Sequence, residues 1–174
     1  MENKIEELET LIQDENPLIL GISESNLFGN HDISNVKIKN YDLITADTMS
    51  NPNINVSRVV IYKHVSVSAK VRHDLMDSTF SSIWIEIQLP KNKNFLLCHL
   101  YREHQYLRQS DDKSLSPDEQ LNRWSVFLQQ WERALETNLE SVVMGDTNVD
   151  HFLINSQDLS RSRHKPFINL LSEK

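Results

Sequence analysis

Between Arg58 and Tyr101 the chain offers four runs of strand character and no stretch with helical spacing, a succession that restricts the fold more than any other feature. Arg58 to Lys63 and Val67 to Arg72 alternate apolar residues with Lys or Arg, which predicts a half-exposed antiparallel pair joined near His64. Ile83, Ile85 and Ile87 alternate with Trp84, Glu86 and Gln88 ahead of Pro90, and a period of two belongs to a strand. Lys91 to Asn94 is short and polar, as a hairpin loop is, and Phe95 to Tyr101 returns as a strand. Strands that follow one another before any second helix argue against a simple doubly wound sheet and predict a mixed or antiparallel one.

The flanking segments supply helices and further strands. Ile5, Leu8, Leu11 and Ile12 recur at helical spacing, predicting an amphipathic helix over residues 2 to 14 that Asn16 and Pro17 stop. The continuous apolar run Leu18 to Ile22 reads as a central strand covered on both faces, giving way to a loop in SESNLFGN. Tyr41 to Ala46 is a short strand, and DTMSNPNINVS after it is a loop. Residues 102 to 114 show no periodicity and read as a surface loop. Ser116, Pro117 and Glu119 then form a helix start: a Ser cap, Pro at the first helical position and Glu closing a capping box. Leu121, Trp124, Phe127, Leu128, Trp131 and Leu135 make the stripe of a helix reaching about Asn138, a face that packs on a sheet. Ser141 to Met144 reads as a buried strand broken by Gly145. Residues 151 to 164 are irregular, and Pro166 to Leu171 resembles the opening of a last helix.

Composition limits the functional classes. A chain of 174 residues with 39% hydrophobic content suits one domain, residues 1 to 174, with a real core. A net charge of -7 argues against attachment to nucleic acid or membrane by bulk positive charge, though not against an acidic metal pocket beside a local basic patch. The single cysteine, Cys98, lies in an apolar run and reads as a buried hydrophobe in a reducing compartment. No apolar stretch approaches the ~20 residues of a membrane span, and the polar N-terminus is not a signal peptide. An intracellular protein, nuclear or cytoplasmic, with no membrane partner is the expectation.

The chemistry-bearing residues stand at strand ends. Glu24 follows the first apolar run, Tyr101 ends the run from Phe95, and Asp146 and Asn148 follow Ser141 to Met144. Any one of these is more often a well-made turn; together they would form a small polar site if their strands are neighbours. One or two carboxylates, with positions left for water and phosphate, suit Mg²⁺. Zinc is disfavoured by the lone cysteine and by seven histidines without ligand spacing. No serine sits in a nucleophile elbow, and three glycines make no phosphate loop. Metal-assisted attack of water on a phosphodiester is the reaction these groups serve best. Asp150 reads as a turn or helix cap.

The order ILGISES, RVVIYKH, SSIWIEIQ, LLCHLYREH and SVVMGDTNVD resembles the endonuclease/exonuclease/phosphatase superfamily, and most closely the apurinic-type endonuclease domain of non-LTR retrotransposons. The resemblance implies an α/β fold, a mixed β-sheet sandwich flanked by helices, with its second sheet incomplete. It implies Glu24 as a ligand of Mg²⁺, with Mn²⁺ as a substitute, and Tyr101 as a partner of the scissile phosphate. By the same resemblance Asp146 orients or deprotonates the attacking water, Asn148 holds the phosphate or that water, and Arg102 contacts the phosphate backbone. DNA is then the substrate and a reverse transcriptase domain the neighbour in a parent protein. The family pattern also includes a preceding strand with an asparagine and a closing Ser-Asp-His strand. Neither is in this sequence, so the expected activity of this chain alone is weak or absent. Ser57 and Arg58 replace the usual Gly-Gly, and Ser25 replaces a threonine. Two alternatives stay open: a non-catalytic remnant or interaction module, and a lipid or nucleotide phosphodiesterase.

Overall fold

Ile5, Leu8 and Ile12 turn one face of helix α1 (Ile5–Glu15) onto a sheet, while Leu11 turns to solvent. The helix ends where Asn16 takes a left-handed conformation, φ 45°, and its N–H returns to Ile12 O at 2.9 Å. These residues belong to a computed structural model that describes residues 4–28, 33–45, 56–102 and 117–147. The sequence expectations for residues 103–116 and 148–174 lie outside that set, including the loop after Arg102, the Ser116 cap and the last helix.

Among the described residues, seven strands form two sheets. Strands β1 (Ile19–Phe28), β2 (Tyr41–Thr45) and β3 (Val56–His64) make an antiparallel sheet in the order β1-β3-β2. Strands β4 (Ala69–Val71), β5 (Ser82–Ile87), β6 (Phe95–Tyr101) and β7 (Glu140–Asp146) make a mixed sheet in the order β4-β5-β6-β7. In it β6 and β7 are parallel, linked through helix α2 (Pro117–Glu136), because parallel neighbours require a crossover rather than a tight turn.

Alternation along the strands sorts their side chains into three apolar layers. Val59 and Ile61 of β3 meet Ile83, Ile85 and Ile87 of β5 and Leu97 and Tyr101 of β6 between the sheets. Val60 and Tyr62 face the other way, toward α1, Val36 and Ile38. Trp84, Leu96, Cys98 and Leu100 pack under Trp124, Phe127 and Ala134 of α2. The molecule is thus an α/β sandwich of two sheets with a helix outside each, as the resemblance implies.

Several sequence expectations are corrected. Among the described residues the run Leu18 to Ile22 is not a central strand: β1 lies at the edge of its sheet, half-buried, with Leu18 exposed, because β3 takes the middle. Nor does a loop begin at Ser23, since the strand continues to Phe28 through a bulge. The segments around Arg58 and Val67 are no hairpin. β3 pairs with β1 and β2 while β4 pairs with β5, and Val59 to Tyr62 are wholly buried because both faces of β3 are covered. Among the described residues strand β7 is the outermost of its sheet, with Val142 and Val143 exposed, and it runs through Gly145 to Asp146 instead of breaking there. On α2 the stripe closes with Gln130 and Ala134 rather than Leu135, which is exposed.

Candidate active site

The bulge in β1 presents the first candidate residue. Ser23 pairs with Val59 and Leu27 with Ser57, so Glu24, Ser25 and Asn26 stand opposite Arg58 alone. Glu24 and Asn26 take left-handed backbones, φ 55° and 48°, on either side of Ser25. The Ser25 hydroxyl is buried and donates to Ser57 O at 2.7 Å, pinning the loop to β3. Arg58 donates to Asn26 Oδ1 at 2.6 Å and holds its rim. Asparagine tolerates such a backbone, but a glutamate there is strained by about 1–3 kcal/mol, a cost the surrounding contacts must hold in place.

The strain turns the exposed Glu24 toward β6, where the buried Tyr101 hydroxyl donates to its Oε1. Asp146 comes from the neighbouring strand. The parallel ladder of β6 and β7 pairs Leu100 with Gly145 and Tyr101 with Asp146, so both end at the carboxyl edge of the sheet. Gly145 is needed for that approach: at φ +133° its Cα faces the Leu100 carbonyl, which an added Cβ would meet at 1.9 Å. The Arg102 N–H continues the ladder to Asp146 O at 2.9 Å, and its guanidinium donates to Thr147 O at 3.3 Å. That guanidinium also lies 5.6 Å from the centre of the Trp124 ring, tying α2 to the strand ends. The structure therefore brings together Glu24 and Tyr101 by direct contact, and Asp146 and Arg102 by backbone pairing. Asn148 lies outside the described residues.

Beneath these groups is a residue the sequence reading left without a role. His99 sits on the inner face of β6 between Leu97 and Tyr101, and burial lowers its pKa below the ordinary value. Its ring lies against Gly21, where an added Cβ would meet Nδ1 at 2.7 Å. The available signal was Gly21 itself, a glycine inside an apolar strand, which marks close approach of another group.

Among the described residues no three His, Cys, Asp or Glu side chains gather as a metal cage. Cys98 points under α2, where burial pushes its thiol pKa up, and His99 is buried, so neither reaches the strand ends. Among the described residues, the carboxylates that reach them are the exposed ones of Glu24 and Asp146. Hard carboxylate oxygens of this kind fit Mg²⁺, which keeps several waters. Among the described residues no helix is long and apolar enough to cross a membrane.

Comparison with solved structures finds the endonuclease domain of TRAS1, a telomere-specific non-LTR retrotransposon, with a TM-score of 0.60 at 11% identity. The match covers 97% of this chain and 64% of that one, so the chain spans about two-thirds of that domain's length. At this identity the likeness speaks for the fold alone. No curated protein matches the sequence. The sequence does match the Endonuclease/Exonuclease/phosphatase family over residues 1–172, nearly its whole length. By that match, and with the two-sheet sandwich agreeing, the chain belongs to the endonuclease/exonuclease/phosphatase family.

Proposed function

We propose that this chain is a Mg²⁺-dependent DNA endonuclease domain that nicks a strand by attack of water on a phosphodiester. One observation carries the reading: Tyr101 of β6 donates to Glu24 of β1 while Asp146 of β7 stands level with Tyr101. Three strands distant in sequence thereby present a carboxylate, a phenol and a second carboxylate at one edge. Glu24 would hold Mg²⁺, or Mn²⁺ in its place. When bound, the metal supplies positive charge against the phosphate's non-bridging oxygens.

The chain's own residues do the rest. The single Tyr101 O–H donates to Glu24 in this structure; in the reaction it would turn from the carboxylate to a phosphate oxygen as charge develops there. Asp146 is exposed and acceptor-only when ionised, so it orients the attacking water and takes its proton. Asn148, two residues on, holds the phosphate or that water. Arg102, fixed over Trp124, places a positive charge beside the strand ends where a backbone phosphate would lie. Fixed placement of this kind suits phosphodiester cleavage, in which positioning and charge stabilisation are the main protein contributions. DNA is favoured as substrate by the likeness of the LYREH and GDTN motifs to retrotransposon endonucleases. A reverse transcriptase would be the neighbouring domain of a parent protein.

The net charge of -7 favours a second reading, a small phosphodiester as substrate. Incubation with supercoiled plasmid and Mg²⁺, beside bis(p-nitrophenyl) phosphate, separates the two. Nicking that disappears in Glu24→Ala and Asp146→Ala is the expected result. Nicking that survives both substitutions removes the assigned site, and hydrolysis of the small ester without nicking moves the reading to the smaller substrate.

A further inference from the structure

His99 takes no part in the chemistry proposed above, yet it occupies a junction. It is 3% exposed, deep between the sheets. Its ring rests on Gly21 of β1, and the Met144 side chain of β7 fills the same space: an added Gly21 Cβ would meet the ring at 2.7 Å and Met144 Cε at 2.8 Å. Neither ring nitrogen completes a well-aligned hydrogen bond. The backbones of Ile22 and Met144 nevertheless lie near enough to favour a proton on the ring, although burial outweighs them.

The sequence offsets give this contact its meaning. Ile22 precedes Glu24 by two residues, Met144 precedes Asp146 by two, and His99 precedes Tyr101 by two. On β6 and β7 two residues is one full pleat, so His99 and Met144 lie one step below Tyr101 and Asp146, while on β1 Gly21 and Ile22 lie just ahead of the bulge that carries Glu24. A single rigid ring therefore touches all three strands at one level. A purely apolar side chain would fill the space without offering the backbones of Ile22 and Met144 a polar neighbour. A larger one would strike Gly21.

We propose that His99 is a positioning residue whose ring spans β1, β6 and β7 and fixes Glu24, Tyr101 and Asp146 relative to one another. The assignment rests on the reading of those three as the site. It acts through backbone placement and touches no substrate.

The test uses the full chain labelled with [13Cζ]tyrosine, the Tyr101 resonance being identified by its loss in Tyr101→Phe. Its position reports the contact with Glu24 without metal or substrate, and Glu24→Gln defines the shift when that contact is altered. Melting curves and plasmid nicking kinetics accompany each variant. In His99→Leu that melts as a folded protein, the Tyr101 resonance should move toward its Glu24→Gln position, with kcat falling ~10-fold and KM within about twofold. His99→Gln, which keeps polar reach, should hold the resonance and most of kcat. An unmoved resonance in folded His99→Leu, where Glu24→Gln does move it, overturns the role of His99. Should the Leu variant fail to fold, the Gln variant decides: a held resonance supports the assignment and a displaced one overturns it. A resonance that Glu24→Gln leaves in place overturns the site reading itself, and the role of His99 with it.

Discussion

Replacing Gly145 with alanine tests whether the β6–β7 ladder sets the geometry of the site. At φ +133° an L residue is strained whatever the space, and the new Cβ would stand 1.9 Å from the Leu100 carbonyl oxygen. Real Cβ contacts essentially never fall under 3.0 Å, so β7 must move away from β6 by about 1 Å. Two losses combine. A non-glycine residue in so sparse a backbone region costs about 1–3 kcal/mol. Stretching the ladder bonds beside Leu100 adds about 1 kcal/mol for each one weakened. A net loss of about 2–4 kcal/mol is expected, a large share of the ~5–15 kcal/mol that holds a domain of this kind. The three tryptophans all pack in the layer under α2, so urea unfolding can be followed by their fluorescence. With a slope near 2 kcal/mol per molar, the midpoint should fall by ~1–2 M. Because Asp146 follows Gly145 directly, the same displacement should lower nicking by ~10²-fold at a temperature where the variant is folded. A midpoint within ~0.3 M of the parent, with nicking unchanged, would refute the reasoning.

Gln130→Met removes a buried acceptor that receives Ser82 Oγ–H at 2.7 Å and Trp84 Nε1–H at 3.0 Å, leaving two donors stranded under α2. The expected loss is about 2–4 kcal/mol, read as a melting temperature lowered by ~5–15 °C, and a drop under ~2 °C would contradict it. His99 supplies a pH dependence with a definite sign. Its folded pKa lies below the ordinary 6.5, so as pH falls through 6.5 the unfolded chain takes up a proton that the folded protein refuses. Its contribution to stability is therefore full above 6.5 and declines below it until the folded pKa is reached. Melting temperatures from pH 7.5 to 5 should fall more steeply for the parent than for His99→Gln, and parallel curves would rule this out.

Much of the sandwich was legible before any coordinates, because local periodicity carries it. The alternation of Ile83, Ile85 and Ile87 with Trp84 fixed both faces of β5, and the spacing of Trp124, Phe127 and Trp131 fixed the inner face of α2. What failed were decisions made by partners far away in sequence. A half-polar run such as Arg58 to Lys63 looks like an exposed hairpin arm until two strands and a helix cover it. Val142 and Val143 look buried because an edge strand and a central one have the same composition when the neighbouring strand is unknown. The bulge was hidden because Ser23 to Asn26 are loop-forming residues, and here they make an irregular strand. At the site, Glu24 and Tyr101 were singled out for their places at run ends, but their contact spans 77 residues and no pattern in either run announces it. His99 escaped notice because a histidine among apolar residues is ordinarily a filler, and only its contact with Gly21 marks it out.

The left-handed backbone of Glu24 sets local stability and catalysis against each other. Glycine at this position would relieve about 1–3 kcal/mol of strain, more than the ~0.5–1 kcal/mol that glycine's added freedom costs in the unfolded chain. The same change takes the Glu24 acceptor from the buried Tyr101 hydroxyl, which costs about 1–3 kcal/mol, so Glu24→Gly should melt close to the parent while losing all nicking. For folding alone that substitution is close to neutral. Backbone strain and the Tyr101 bond thus nearly offset each other, and what Glu24 adds beyond them is a carboxylate at the strand ends.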